Sequence, residues 1–196
     1  MTEFRKIAII GLGLIASSIC LSLRQKDPAI QIVGYDNDKE VRKRAKRIGL
    51  CEIESNIEKA VNDCNLIILC VPVGQMHPVI QKLKNFIEPG TIITDVGSVK
   101  LSVIKDLESH TEDAKGKFVP SHPIAGTEKS GPDAGYAGLF EGRWCILTPT
   151  KKTNKKALKS VEIFWRFLGM QTKIMTPEHH DLVLAVTSHA PHLIAY

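Results

Sequence analysis

Lys6-Ile7-Ala8-Ile9-Ile10 runs without a break into Gly11-Leu12-Gly13-Leu14-Ile15-Ala16, and no other stretch narrows the possible folds as far. An apolar run of this length reads as a buried strand, and the G-x-G-x-x-A that follows reads as a tight turn opening a helix. A second strand-like run, QIVGY (31–35), ends on Asp36, placed 20 positions after Ala16. Strand, glycine turn, helix, strand and terminal carboxylate make up a dinucleotide-binding βαβ unit. Each residue type has its reason. Gly11 permits the turn, and Gly13 lets the backbone approach a pyrophosphate held at the helix N-terminus beside Leu14 and Ile15. Ala16 keeps helix and strand close. Asp36 accepts hydrogen bonds from ribose hydroxyls and repels a 2′-phosphate, so NAD is favoured over NADP.

The alternation continues. The run DKEVRKRAKRIG predicts a helix with Asp38 as N-cap and Gly49 closing it. A weak strand near Cys51–Ile53 precedes Ser55-Asn56-Ile57-Glu58, which has capping-box spacing. LIILCV (66–71), TIITDV (91–96) and KFVPS (117–121) read as strands, with helices over about 75–86 and 99–108 between them. Strands apolar throughout are buried on both faces, so the predicted class is α/β with a doubly wound, mostly parallel Rossmann-type sheet. Ligands of such sheets bind beyond the carboxyl ends of the strands. Val71-Pro72-Val73-Gly74 and Asp95-Val96-Gly97-Ser98 fall there, and Ser98 also reads as the N-cap of the next helix. WCILT (144–148), a helix over about 154–168, QTKIM (171–175) and a helix opening at Thr176-Pro177 complete the pattern.

The segment VPSHPIAGTEKSGPDAGYAGLFEG (119–142) has no periodicity and is punctuated by proline and glycine. It reads as a long loop, and loops beyond about 12–15 residues are usually functional or disordered. A solitary histidine is more often a packing residue. Beside a nicotinamide pocket that balance reverses for His122, because hydride removal from a carbinol carbon needs a group to take the hydroxyl proton. The other histidines invite less. His77 and His110 fall in surface helices, and His179 and His180 sit in a first helical turn where exposure is expected. His189 and His192 bring no cysteine or carboxylate at zinc-ligand spacing, so no metal site is predicted.

Several classes are excluded. Aromatic content is 6% and the basic clusters at 42–47 and 151–156 carry no interleaved aromatics, so nucleic acid is not an expected partner. No run of 18 apolar residues marks a membrane span. Five cysteines without a C-x-x-C pair fit a reducing compartment, so a cytoplasmic location is expected. DLVLAVTSHAPHLIAY stops inside an apolar helical pattern, which predicts that the sequence is part of a longer protein.

Taken in order, GLGLIASS, DVGSVK, HPIAGTEKSGPDAGYAGLFEG and TSHAPHLIAY closely resemble the prephenate/arogenate dehydrogenase family of tyrosine biosynthesis. The resemblance runs from Lys6 to Tyr196, and HPIAGTEKSG carries it more specifically than the glycine turn. It implies an NAD-binding domain over 1–175, and over 176–196 the first helix of an all-helical domain that forms homodimers and completes the site. It implies NAD-dependent oxidative decarboxylation of prephenate or arogenate, both small molecules. His122 would be the catalytic histidine and Ser98 would hold the ring hydroxyl. Glu128 and His189 would be substrate-binding, and Val71 and Pro72 would face the cofactor. Ala16 stands where many members have glycine, and Ala190 where leucine is usual. The family's substrate-carboxylate arginine belongs to the helical region beyond this sequence. Two alternatives stand beside this reading: a catalytically incomplete NAD-binding or regulatory remnant, and a β-hydroxyacid-type dehydrogenase, which would be expected to use a lysine on a later helix.

Overall fold

Runs such as IAII and LIIL have no polar face to show to water, so each demands cover on both sides. The computed structural model, which describes residues 3–113 and 116–186, supplies that cover. Strands β1 (Lys6–Ile10), β2 (Gln31–Tyr35), β3 (Glu52–Ile53), β4 (Leu66–Leu69), β5 (Ile92–Asp95) and β6 (Lys117–Val119) form one wholly parallel sheet in the order β3-β2-β1-β4-β5-β6. Helices α1 (Leu14–Lys26), α2 (Lys39–Arg47), α3 (Ile57–Val61), α4 (Val73–Leu83) and α5 (Lys100–Asp113) connect them. The alternation of side chains along β1 divides the core. Ile7 and Ile9 pack with Ile19 and Leu23 of α1, whereas Ala8 and Ile10 pack with Met76 and Ile80 of α4 and Val103 and Leu107 of α5. This is the doubly wound class that the alternation predicts, and its strand order reverses between β1 and β4.

Local signals hold in detail. The Asp38 carboxylate accepts from Glu40 N at 2.7 Å, and Gly49 closes α2 at φ +61°. The cap of α3 falls one residue later than the Ser55 spacing predicts: the Asn56 side chain accepts from Glu58 N at 2.8 Å. Thr176 caps α7 (Pro177–Leu184), with Pro177 in its first turn.

The segment after β6 departs from expectation. KFVPS is not one strand, because proline 120 has no N–H to continue the ladder. The chain leaves the main sheet there and enters β7 (Ser121–Pro123), which pairs antiparallel with β8 (Trp144–Leu147); β8 pairs in parallel with β9 (Gln171–Ile174). His122 therefore sits on a strand of a second, three-stranded sheet and not in a loop. Helix α6 (Lys155–Phe167) lays Val161, Phe164 and Trp165 on the face shared with α1.

The loop between β7 and β8 is docked, not free. Its single 3-10 turn (Pro132–Ala134) lies over α1 and α2. Ser22 Oγ donates to Ala137 O at 2.6 Å, Tyr136 N donates to Ser18 Oγ at 3.2 Å, and Arg44 Nε donates to Asp133 at 2.7 Å. Contact is so close that a Cβ on Gly135 would stand 2.4 Å from the Cβ of Ser17 and 2.9 Å from its backbone. Gly135→Ala is accordingly expected to lower stability by about 1–3 kcal/mol, the usual cost of overpacking a fitted contact. Urea unfolding would measure it, and an unchanged midpoint would show that the loop lifts away at little cost.

Candidate active site

The switch between β1 and β4 opens a cavity of about 760 Å³ at the carboxyl ends of the strands. Its floor is the glycine turn. Gly11 has φ +93°, and a Cβ there would lie 2.8 Å from the Cys70 carbonyl, so only glycine lets β1 turn across the end of β4. At Gly13 a Cβ would meet nothing within 4 Å, and no side chain caps α1 there. The first backbone N–H groups of α1 thus face open space, which fits a bound phosphate.

Asp36 is held, not loose. Its Oδ2 accepts from Leu12 N at 2.8 Å and its Oδ1 from Asp38 N at 2.9 Å. Arg42 donates to the carbonyls of Asp36 and Asn37 and lies 5.6 Å above the Tyr35 ring, which fixes the turn after β2. The carboxylate therefore stands fixed at the cavity wall, placed to meet vicinal hydroxyls.

Of the residues singled out in the sequence, Gly11, Gly13, Ile15, Asp36, Val71, Pro72, Ser98 and His122 all line this one cavity. Ala16 is buried at the helix–sheet contact, and Leu14 packs against the same core. Glu128 is exposed on the loop beyond Ala125, the last of that segment to reach the cavity wall. His189 lies outside the described residues. Ser98 does not cap α5. Asp181 of α7 does so from a distance, its two oxygens accepting from Lys100 N at 2.7 Å and Leu101 N at 3.0 Å.

A buried ion pair supports the wall that carries His122. Lys100 Nζ bonds to Asp95 Oδ2 and donates to Ser121 O at 2.7 Å, and both side chains are fully buried. Asp95 Oδ1 accepts from Ser121 N at 3.2 Å, and the Ser121 hydroxyl donates to Asp95 O at 2.6 Å. Trp165 Nε1 adds a donor to Ser121 Oγ at 3.1 Å. Burial pulls the Lys100 ammonium below its usual value, and Asp95 opposes that pull.

Sequence reasoning missed His180. Expected on the surface, it has no exposed area at all, because Pro177, His180 and Leu184 form the buried stripe of α7. His122 Nδ1 lies 2.9 Å from His180 Nε2, with ring centroids 5.1 Å apart, and His180 Nδ1 lies 2.7 Å from Asp181 Oδ1. His179, one residue earlier, does point outward. Burial pushes the His180 imidazole below its ordinary 6.5, outweighing the Asp181 bond. Burial pulls the Asp181 carboxyl upward, but the Leu101 and Lys100 amides, with His180, hold it below its ordinary 3.8.

A parallel sheet in this order, with a glycine turn and a fixed carboxylate at its switch point, is the architecture of a nucleotide-binding domain of the dehydrogenase type. Residues 19–174 match the family model of the prephenate dehydrogenase nucleotide-binding domain. The chain belongs to the prephenate dehydrogenase family. It is 44% identical over its whole length to a cyclohexadienyl dehydrogenase of Zymomonas mobilis, of which it covers 67%. It is 33% identical over 97% of its length to a prephenate dehydrogenase of Lactococcus lactis, of which it covers 52%. The crystal structure of Aquifex aeolicus prephenate dehydrogenase with hydroxyphenyl propionate and NAD⁺ superposes with a TM-score of 0.89 at 38% identity, over 97% of this chain and 66% of that one. The sequence thus spans from about half to about two thirds of these relatives.

Two outcomes test the site's physical basis. Lys100→Met is expected to cost about 3–5 kcal/mol in urea unfolding, since it strands a buried carboxylate; a loss under about 1 kcal/mol would mean that Asp95 finds other partners. His180 and Asp181 both titrate lower when folded, so the unfolded chain binds more protons and stability is lost as pH falls. The His180 share is present above about 6.5 and shrinks below it. Urea midpoints at about pH 7 and about pH 5 are expected to differ less in His180→Gln than in the unaltered protein.

Proposed function

We propose that the protein is an NAD-dependent dehydrogenase that oxidatively decarboxylates prephenate or arogenate, with His122 as proton acceptor. One observation carries the reading: His122 and Ser98 share a cavity with the glycine turn and Asp36, so a proton acceptor and a nucleotide cradle face the same space. The Aquifex aeolicus relative, crystallised with NAD⁺ and a hydroxyphenyl acid, supports it.

Bound NAD⁺ supplies the hydride acceptor. The N-terminus of α1 takes the pyrophosphate and Asp36 the ribose hydroxyls, which makes NADP a poor fit because its 2′-phosphate would meet a fixed carboxylate. Ser98, exposed on the wall, orients the ring hydroxyl. His122 accepts the proton of that hydroxyl as the carbinol carbon is oxidised. The ring carboxylate leaves as CO₂, its bonding electrons pass through the diene to the oxygen, and the oxygen recovers the proton from His122. The ring ends aromatic, and that drives the sequence forward. Glu128 and His189 serve the substrate side of the same reaction.

NADH formation with prephenate and NAD⁺, followed by its near-ultraviolet absorbance, tests the activity. His122→Asn is expected to lower turnover by about 10²–10⁴-fold while NAD⁺ affinity, read by calorimetry, stays nearly unchanged. Equal loss of NAD⁺ binding would make His122 a structural residue and overturn the assignment. Asp36→Ala is expected to weaken NAD⁺ binding and narrow its margin over NADP⁺; an unaltered preference would remove Asp36 from the ribose site.

A further inference from the structure

We infer that His180 and Asp181 are positioning residues that fix His122 in the tautomer carrying its proton on Nδ1, so that Nε2 is the base. The inference rests on the reading of His122 as proton acceptor, and it assigns the atom and the device behind that role.

The hydrogen-bond chain begins at the α5 N-terminus. Asp181 is ionised and accepts from the amides of Lys100 and Leu101, so it holds one place against the start of α5. A carboxylate only accepts, and therefore the 2.7 Å bond to His180 Nδ1 requires the proton on that nitrogen. Full burial favours the neutral imidazole, which carries a single N–H. His180 Nε2 is then a lone pair. His122 Nδ1, 2.9 Å away, must donate to it. A neutral His122 with its proton on Nδ1 presents an unprotonated Nε2.

The same chain has a second state. Should His180 gain a proton, its Nε2–H would donate to His122 Nδ1, and the His122 proton would move to Nε2, where the base is needed. The charges that set this balance are Asp181 on α7, Lys100 on α5 and Asp95 on β5, with Cys145 of β8 against the His122 backbone. Burial within that set keeps His180 neutral, and so keeps the His122 proton on Nδ1.

Long-range ¹H–¹⁵N correlation spectra of ¹⁵N-histidine-labelled protein read the tautomer directly. The expected result is a protonated Nδ1 and a bare Nε2 on His122. In His180→Phe the His122 proton is expected to redistribute to Nε2 and its titration to shift. Turnover is expected to fall by roughly 10–10⁴-fold, the upper end being the loss when a catalytic histidine is held in the wrong tautomer. The KM for NAD⁺ should stay unchanged. His180→Gln is expected to restore much of both, because its amide N–H can donate to Asp181 while its oxygen accepts from His122. A protonated Nε2 in the unaltered protein would overturn the inference. So would a His180→Phe variant that melts lower yet keeps the His122 tautomer and pH profile. Should His180→Phe fail to fold, the unaltered and His180→Gln spectra still decide. The tautomer is read without substrate, so a protein that failed to turn over prephenate would sink the proposed activity and leave this result standing.

Discussion

Lys100 and Asp95 meet where the two sheets join, and most of the site hangs from that pair. Asp95 ends β5 of the parallel sheet, and Lys100 begins α5. Between them they take up both the N–H and the carbonyl of Ser121, the first residue of the second sheet. A strand that leaves one sheet for another has no ladder partner at the crossing, and buried backbone groups left there would be costly. The ion pair satisfies them. Charge in the interior does not stabilise by itself, since desolvation consumes much of the attraction. Its value here is specificity: Ser121 has one place, and the neighbouring residue inherits it.

That neighbour is His122, and it is reached from two directions. From one side come the glycine turn and Asp36, products of the first βαβ unit and fixed by the geometry of a tight turn. From the other come His180 and Asp181 on α7, the last described helix. The cavity thus lies between an early, local motif and a late, long-range one. Its two walls are also tied together away from the cavity, where the loop after β7 is fitted onto α1 by Ser18, Ser22 and Gly135. A shift of that loop would be felt at the helix whose N-terminus forms the cavity floor.

Legibility in the sequence followed the range of the forces involved. The central strands β1, β4 and β5 are readable because burial on both faces leaves an apolar run, and the glycine turn because Gly11 answers to a steric limit at a single point. The second sheet was not readable as such. WCIL and QTKI have strand character, but nothing local says that Pro120 diverts the chain into a new sheet, so the sequence alone reads His122 as part of a loop. The spacing points to Ser55 for a cap that Asn56 makes, a shift of one residue that side-chain preference cannot resolve, since both types cap well. His180 is hard to read for a different reason. A first helical turn is usually exposed, yet the spacing of Pro177, His180 and Leu184 already marks one face, and that face selects His180 over His179. The cap of α5 by Asp181, 81 positions away along the chain, had no local trace.

The order of the strands also sets an order of assembly. β1 lies inside the sheet, but its second neighbour is β4, so after β1 and β2 have paired one edge of β1 stays open until Leu66–Leu69 has been made. An open apolar edge is a site for wrong pairing, and parallel neighbours far apart in the chain are slow to find each other. The histidine pair spans a comparable separation. His122 pairs along its backbone with β8, but its ring meets its partner only on α7, 58 positions further along the chain. The reach of that link is long: the ring carried by one edge of the second sheet is aimed from the last described helix.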